Sequence, residues 1–190
     1  MKNFGSKPWL LPQPVLIIGT YDSQHRPNAM NAAWGGQWDT NEVMISLGRH
    51  ATTDNMKLNP YFTLTFATVD TLVAADYVGL VSGRQVSNKI EHTGWTVVQA
   101  PHVDAPLFVD FPLTLECRVK ERIGEEESGF NLIGEIVDTI VTDDSCLADD
   151  GKPDLTRLNL IVFDPIHHGY LRIGEKVGQA FADGRQLTTK

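Results

Sequence analysis

The feature that most constrains the fold of this chain is a succession of short β-type runs joined by turns. Residues 15–21 are β-branched and apolar, residues 43–47 form a second apolar run, and residues 61–67 alternate aromatic with small side chains. Runs of this kind, bounded by Gly, Pro, Asn and Asp, are typical of strands. Further strands are predicted at residues 113–122, 131–141 and 159–163.

Helical patterns between these runs are few and short. A helix is predicted from Thr52 or Thr53 to about Asn59, and another follows Asp70 or Thr71 and ends near Gly83. Because strand follows strand, hairpins join most of them, and the pattern predicts a mainly β fold: an antiparallel Greek-key barrel with two or three short flanking helices. A Rossmann fold is excluded, since the chain lacks both the alternation of strand and helix and a G-x-G-x-x-G motif.

Composition places the chain in one domain, residues 1–190, with 42% hydrophobic and 21% charged residues. The formal net charge of −8 argues against nucleic-acid binding, which relies on a cationic surface. No apolar run is long enough to cross a membrane, and the N-terminus is a poor signal peptide, so we expect a cytoplasmic protein. Cys117 and Cys146 are far apart and lack metal spacing, so we expect reduced, packed thiols.

Residues 28–53 carry the strongest indication of a binding site. Small residues first surround Trp34, and small side chains let a flat ligand lie against backbone N–H and C=O groups. A strand then leads into Gly48, Arg49 and His50, followed by Thr53 at the start of a helix, where cations and free N–H groups suit a phosphate. The stretch therefore predicts a site for a nucleotide-like cofactor with a planar ring. A hairpin with an ordinary helix cap remains the alternative.

Six short blocks also occur in a fixed order between residues 12 and 178. They are P-Q-P at 12–14, P-N-A-M-N-A-A-W at 27–34, S-L at 46–47 with His50 and Thr53, S-G-R-Q-V-S-N-K at 82–89, L-E-C at 115–117 and N-L-I-G-E-I-V at 131–137. Together they resemble the flavin reductase-like, FMN-binding split-barrel family. The resemblance implies a split barrel that binds FMN, with FAD and riboflavin as alternatives.

The resemblance also implies roles for individual residues. Main-chain groups of one segment would contact the edge of the isoalloxazine ring, a second segment would hold the ribityl chain and phosphate, and a third would close the phosphate end. These residues are, in turn, Asn31, Ala32, Ala33 and Trp34; Ser46, Leu47, Gly48, Arg49, His50 and Thr53; and Ser82, Gly83 and Lys89. Gly35 and Gly36 depart from the bulkier residue of many relatives, which either opens the flavin face or makes a bulge.

The expected activity is NAD(P)H-dependent flavin reduction, with reduced flavin or electrons handed to a monooxygenase or another redox partner. The alternatives are a flavoredoxin-type electron carrier without its own NAD(P)H activity and a barrel that has lost its flavin. No acid–base residue is required, because hydride passes directly from the nicotinamide to the flavin. His167 and His168 lack ligand-spaced partners, so no metal is expected; the resemblance places His168 or Tyr170 near the substrate side.

A homodimer is also implied by the resemblance. Two apolar segments support it: the aromatic face of residues 61–67 and the arm containing Trp9, Leu10 and Leu11. Each would be a large exposed patch on a monomer. The alternative for the arm is that it folds back on its own barrel.

Overall fold

Antiparallel strands make up most of the fold in this computed structural model, which describes residues 1–125 and 127–188. The strands are β1 (Gln13–Pro14), β2 (Leu16–Tyr21), β3 (Pro27–Ala32), β4 (Gly35–Asp39), β5 (Glu42–Leu47), β6 (Tyr61–Phe66), β7 (Val97–Gln99), β8 (Pro106–Phe108), β9 (Leu113–Glu125), β10 (Gly129–Val141), β11 (Ile161–Asp164) and β12 (Gly169–Arg172). The α-helices are α1 (Ala51–Leu58) and α2 (Leu72–Leu80), and single 3-10 turns occur at Glu91–Thr93, Asp144–Cys146 and Asp183–Leu187.

The main sheet has seven strands in the order β3-β2-β6-β9-β10-β5-β4. Its two edge strands, β3 and β4, are nonetheless consecutive in the chain and joined only by Ala33 and Trp34. Six interstrand steps would separate the edges of a flat sheet by about 29 Å, whereas this link spans at most about 10 Å. The sheet must therefore curl until its edges approach each other, which makes a barrel that is split between β3 and β4.

Both faces of the curled sheet are buried near its centre. On one face, Ile18 and Ile45 pack with Phe62 inside the barrel. On the other face, Ile17 packs against α2 and an aromatic cluster in which the rings of Trp95 and Phe111 meet edge to face at 4.8 Å. The adjacent residues Ile17 and Ile18 are both fully buried, so the apolar run of β2 serves two cores.

Strand β6 differs from the prediction made for residues 61–67. It is a central strand between β2 and β9, and Phe62 and Leu64 belong to the barrel core. The opposite face is also buried, where the Thr63 hydroxyl donates a hydrogen bond to the Pro106 carbonyl at 2.7 Å. The predicted half-buried strand with an exposed aromatic face is therefore wrong, because its own barrel covers it on both sides.

The two helices begin near their predicted caps. In α1 the N–H of His50 donates to the Thr53 hydroxyl at 2.9 Å, and α2 follows Thr71. Helix α2 ends at Leu80, before Gly83, and the Lys89 ammonium donates to the carbonyls of Val78 and Val81 at its C-terminus. Within the described residues, no helix has the length and apolar character needed to span a bilayer.

Candidate cofactor-binding site

Two adjoining cavities lie where the barrel is split. The first, of about 520 Å³, is bounded by the N-terminal arm on one side and by the β3–β4 link with β4 on the other. The second, of about 690 Å³, extends from the link to Arg49 and to the tip of the β9–β10 hairpin. Trp34 and Ser46 line both cavities, so one elongated ligand could occupy the two together. We call them the arm cavity and the Arg49 cavity.

The β3–β4 link presents backbone donors to these cavities. The carbonyl of Trp34 accepts from the Ser46 N–H at 2.7 Å, and the carbonyl of Ala33 accepts from the Gly35 N–H at 3.2 Å. No hydrogen bond from the N–H group of Ala33 or Trp34 is found among the described residues. The link therefore has the character expected of a shelf for a flat, hydrogen-bonding ring.

The two glycines after Trp34 have different roles. A Cβ on Gly35 would lie 2.9 Å from Leu16 Cδ1 and 3.0 Å from the Met44 carbonyl oxygen, so a side chain is excluded there. A Cβ on Gly36 would meet nothing within 4 Å. Gly35 thus allows close strand approach, and Gly36 leaves the wall of the arm cavity open.

Gln13 lines the candidate site, although the spacing of motifs in the sequence does not indicate it. It lines the arm cavity, is 6% exposed, and its Oε1 atom is buried with no hydrogen-bond partner among the described residues. A buried acceptor without a donor is costly, and a bound ring carrying an N–H group would satisfy it. The only sequence signal is a polar residue in an otherwise apolar entry to the barrel, which is too weak to assign a role.

Cations surround the region between the Arg49 cavity and the start of α1. Arg49 itself lines the cavity, and His50 immediately precedes the helix. Burial lowers the pKa of His50, and the nearby charges of Arg84 and Lys89 lower it further. Arg84 is itself paired with Asp54 in the first turn of α1, so Arg49, Lys89 and the helix N-terminus are the groups that favour an anion here. Glu127, at the tip of the β9–β10 hairpin, is exposed, lines the cavity and opposes this field; residue 126 lies outside the described residues.

Thr53 and Lys89, both predicted to hold phosphate, are occupied by contacts within the protein. Thr53 is 1% exposed and Lys89 is 3% exposed. The Thr53 hydroxyl accepts a hydrogen bond from the His50 N–H and donates one to the His50 carbonyl, each at 2.9 Å. Burial lowers the pKa of Lys89 to about 8, and its ammonium is bonded to the end of α2. Their contacts hold the start of α1 and the end of α2 in place, and direct contact of either residue with a phosphate stays a prediction.

Ser82 and Gly83 lie against the start of α1 and do not line the Arg49 cavity. A Cβ on Gly83 would lie 2.4 Å from Asn28 Oδ1, which is itself buried without a partner among the described residues. The amide nitrogen of Asn28 donates to the Thr52 hydroxyl at 2.8 Å. The 82–83 turn therefore fits closely over the first turn of the helix.

Asn31 and Ala32 face a separate cavity of about 250 Å³, which they share with Ala33 and Tyr170. The Asn31 amide donates to the Ala75 carbonyl at 3.0 Å. The Tyr170 hydroxyl donates to Asp76 at 2.6 Å, and burial together with this carboxylate raises the pKa of Tyr170 to about 12. Tyr170 thus lies beside the shelf, from a strand, β12, that the sequence pattern does not predict.

These features match the chemistry of FMN. The arm cavity offers backbone N–H groups and a buried acceptor beside a largely apolar wall, which suits a planar ring with both acceptor atoms and an N–H group. The Arg49 cavity adds a guanidinium near a helix N-terminus, which suits a phosphate. The donor set and the shape of the paired cavities therefore fit this cofactor.

Comparisons with known proteins point in the same direction. The profile of the flavin reductase-like domain matches residues 9–152. Flavoredoxin of Desulfovibrio vulgaris (Miyazaki F) is 34% identical, with 97% of this chain and 99% of that chain covered and a TM-score of 0.90. A search of curated proteins finds no match.

Two more distant structures share the fold. Flavoredoxin from Methanosarcina acetivorans has a TM-score of 0.87 at 24% identity, covering 98% of this chain and 99% of that one. Nitrilotriacetate monooxygenase component B from Bacillus cereus has a TM-score of 0.75 at 18% identity, covering 90% and 88%. The predicted mainly β, antiparallel split barrel is confirmed.

Proposed function

This chain belongs to the flavin reductase-like family, and from that membership we propose that it binds FMN, accepts hydride from NAD(P)H and passes reduced flavin or electrons to a redox partner such as a monooxygenase. The observation that carries the proposal is the pair of adjoining cavities at the split. At one end are backbone N–H groups with no hydrogen bond to any described residue, and at the other is Arg49. When bound, FMN supplies the hydride-accepting chemistry, and the protein supplies position and environment.

The residues of the site divide this work. The N–H groups of Ala33 and Trp34 and the amide of Gln13 would orient the ring, while Ser46 and Arg49 would hold the ribityl chain and phosphate. Among the described residues lining the arm cavity, Lys7 alone is titratable. The chain therefore contributes orientation and partial exclusion of water, with no acid–base pair at the ring.

A flavin titration tests the first part of the proposal. Purified apoprotein should quench FMN fluorescence saturably with one site per chain, and FMN should bind more tightly than riboflavin because only FMN carries the phosphate. Absence of saturable binding at high micromolar FMN would contradict the proposal and favour a barrel that has lost its flavin. FAD in the same titration tests whether a larger flavin is accepted.

Steady-state oxidation of NADH and NADPH in the presence of FMN tests the second part. Turnover on the order of 1 per second or faster would support a flavin reductase. The preference between the two nicotinamides follows from the ratio of their kcat/KM values. A protein-free mixture of nicotinamide and FMN provides the background rate.

A second candidate is an electron carrier without its own NAD(P)H reaction. It is favoured by the 34% identity to a flavoredoxin over nearly the whole of both chains. Tight FMN binding combined with background rates of NAD(P)H oxidation would support this candidate. Chemically reduced protein should then pass its electrons to an added acceptor faster than free reduced FMN does.

We further propose that the protein is a homodimer with the cofactor site near the subunit boundary. Leu10 on the arm is 83% exposed, Trp34 in the wall of the arm cavity is 58% exposed, and Trp38 on β4 is 55% exposed. Such a group of apolar side chains is unusual on a monomer, and a two-fold interface would cover both copies. Light scattering should give twice the chain mass of 21.1 kDa. A monomer that still binds FMN tightly would refute the dimer as a requirement for the site.

A further inference from the structure

A second cluster of ligand-type side chains lies outside the two cofactor cavities. It consists of His102 in the loop between β7 and β8, Glu116 on β9 and Asp138 on β10. His102 Nδ1 is 2.6 Å from Glu116 Oε2 and 3.0 Å from Asp138 Oδ2. The backbone N–H of His102 also donates to Glu116 Oε1 at 3.1 Å. One imidazole nitrogen therefore faces two carboxylates.

An irregularity in the strand pairing places Asp138 in this cluster. Ile136 pairs with Cys117, whereas Asp138, two residues later, pairs with the next residue, Glu116. The extra residue, Val137, forms a β-bulge, and a bulge redirects the side chains that follow it. Regular pairing would place Val137 opposite Glu116 and turn Asp138 to the other face of the sheet. The bulge thus brings the two carboxylates onto one face.

The arrangement concentrates negative charge at a buried position. The Glu116 side chain is fully buried, and like charges directly opposite each other on neighbouring strands are destabilising. A neutral imidazole offers a single proton at Nδ1 for both carboxylates. Both oxygens of Glu116 accept hydrogen bonds from His102. The two carboxylates therefore favour a positive charge beside His102 Nδ1, and a metal ion in place of the shared proton would supply it.

We propose that His102, Glu116 and Asp138 bind a divalent transition-metal ion. One imidazole nitrogen and two carboxylate oxygens, which lie within 4.8 Å of one another, form a donor set suited to Zn²⁺. The His102 and Asp138 side chains are 50% and 45% exposed, so the ion can enter from solvent and complete its coordination with water. Mg²⁺ should compete poorly, since it does not favour an imidazole ligand.

The bound ion would fasten the β7–β8 loop to the barrel. Val103 and Ala105 of this loop already pack in a small apolar cluster, and Glu116 anchors the loop backbone through His102. A shared metal ion would replace the contacts of His102 with Glu116 on β9 and Asp138 on β10 by coordinate bonds, which would hold the loop to the sheet more firmly. The ion is expected to stabilise the fold, because its three ligands converge only in the folded chain.

Zinc binding to chelator-treated, full-length protein tests the proposal. Equilibrium dialysis should give one Zn²⁺ per chain, with little competition from excess Mg²⁺. His102→Ala and Asp138→Asn should each weaken binding at least about tenfold. Zinc at a concentration that saturates the wild type should raise its Tm by about 5 °C, and the shift should be clearly smaller in Asp138→Asn. Circular dichroism confirms that each variant is folded.

His167→Ala is a matched control, because His167 is likewise a histidine paired with a carboxylate, but with only one such partner among the described residues, Asp164, at 2.9 Å. This variant should bind zinc as the wild type does. Absence of saturable zinc binding would overturn the proposal, as would binding that is unchanged in Asp138→Asn, which would indicate adventitious attachment to a lone histidine. The dialysis contains no flavin, so its result is independent of the proposed redox function.

Discussion

Removing the Arg49 guanidinium should weaken the binding of FMN selectively. Hydrogen bonds between charged groups contribute about 1.5–3 kcal/mol, but Arg49 is exposed, and solvent reduces its contribution to about 1–2 kcal/mol. Arg49→Ala should therefore raise the Kd for FMN by about 5- to 30-fold. Binding should not be abolished, because Lys89 and the start of α1 still favour an anion and the contacts proposed for the ring are unchanged.

Riboflavin provides the internal comparison, since it shares the ring and lacks the phosphate. Its Kd should change less than about twofold in Arg49→Ala, because the expected loss concerns an ion pair that riboflavin cannot make. Fluorescence titrations of both flavins should be repeated at several salt concentrations. The ratio of the FMN and riboflavin affinities should fall as ionic strength rises in the wild type, and more weakly in the variant.

Arg26→Ala controls for the loss of one positive charge. Arg26 lies in the turn before β3 and pairs with Asp22, about 20 Å along the strand from Ala33. It should leave both flavin affinities unchanged. Equal losses of FMN and riboflavin affinity in Arg49→Ala would refute a phosphate contact by Arg49. They would indicate that Arg49 contacts the ring or supports the folded structure.

Three further predictions concern the same region. Glu127→Gln removes the carboxylate from the Arg49 cavity and should tighten FMN binding about two- to fivefold in titrations while sparing riboflavin; unchanged affinity would show that Glu127 is remote from the phosphate. Burial lowers the pKa of Lys89 from 10.5 to about 8, so between these pH values the unfolded chain binds more protons than the folded one, and the free energy of unfolding rises with pH. In urea unfolding, the free energy of unfolding of the wild type should rise by about 2–3 kcal/mol relative to that of Lys89→Met between pH 8 and 10.5. A difference between the two proteins that does not change with pH would contradict this. Gly83→Ala would push a methyl group against Asn28 and should cost about 1–3 kcal/mol in thermal unfolding, whereas Gly169→Ala, which meets nothing within 4 Å, should be nearly neutral.

Local patterns predicted much of the fold. The β-branched run of β2 pairs with β3 as a hairpin. The strands predicted at 113–122 and 131–141 are β9 and β10, and they pair as a second hairpin. Strand β4 was not predicted, because Gly-Gly-Gln-Trp-Asp has neither β-branched residues nor a regular apolar alternation. It is a strand because β5 supplies a neighbouring edge, which is a tertiary effect.

The candidate site was predictable where its residues are contiguous. Ala33, Trp34 and the Ser46–Arg49 segment meet at the paired cavities, as expected from one continuous stretch. Gln13 and Glu127 join them from distant segments, and local spacing carries no information on that approach. Lys89 shows what sequence order leaves out: its block predicts a phosphate ligand, a role that stays a prediction, while its buried ammonium donates to the end of α2.

The position of the shelf follows from the way the barrel closes. In a regular sheet nearly every backbone N–H is paired, so a ligand can be recognised by the backbone only where pairing is interrupted. Here the chain passes from one edge of the seven-stranded sheet to the other through two residues, Ala33 and Trp34. Their carbonyls are used on the β4 side, while their N–H groups lie beyond the last pair of β3. The connection that closes the barrel is therefore also the place where its backbone remains available to a cofactor.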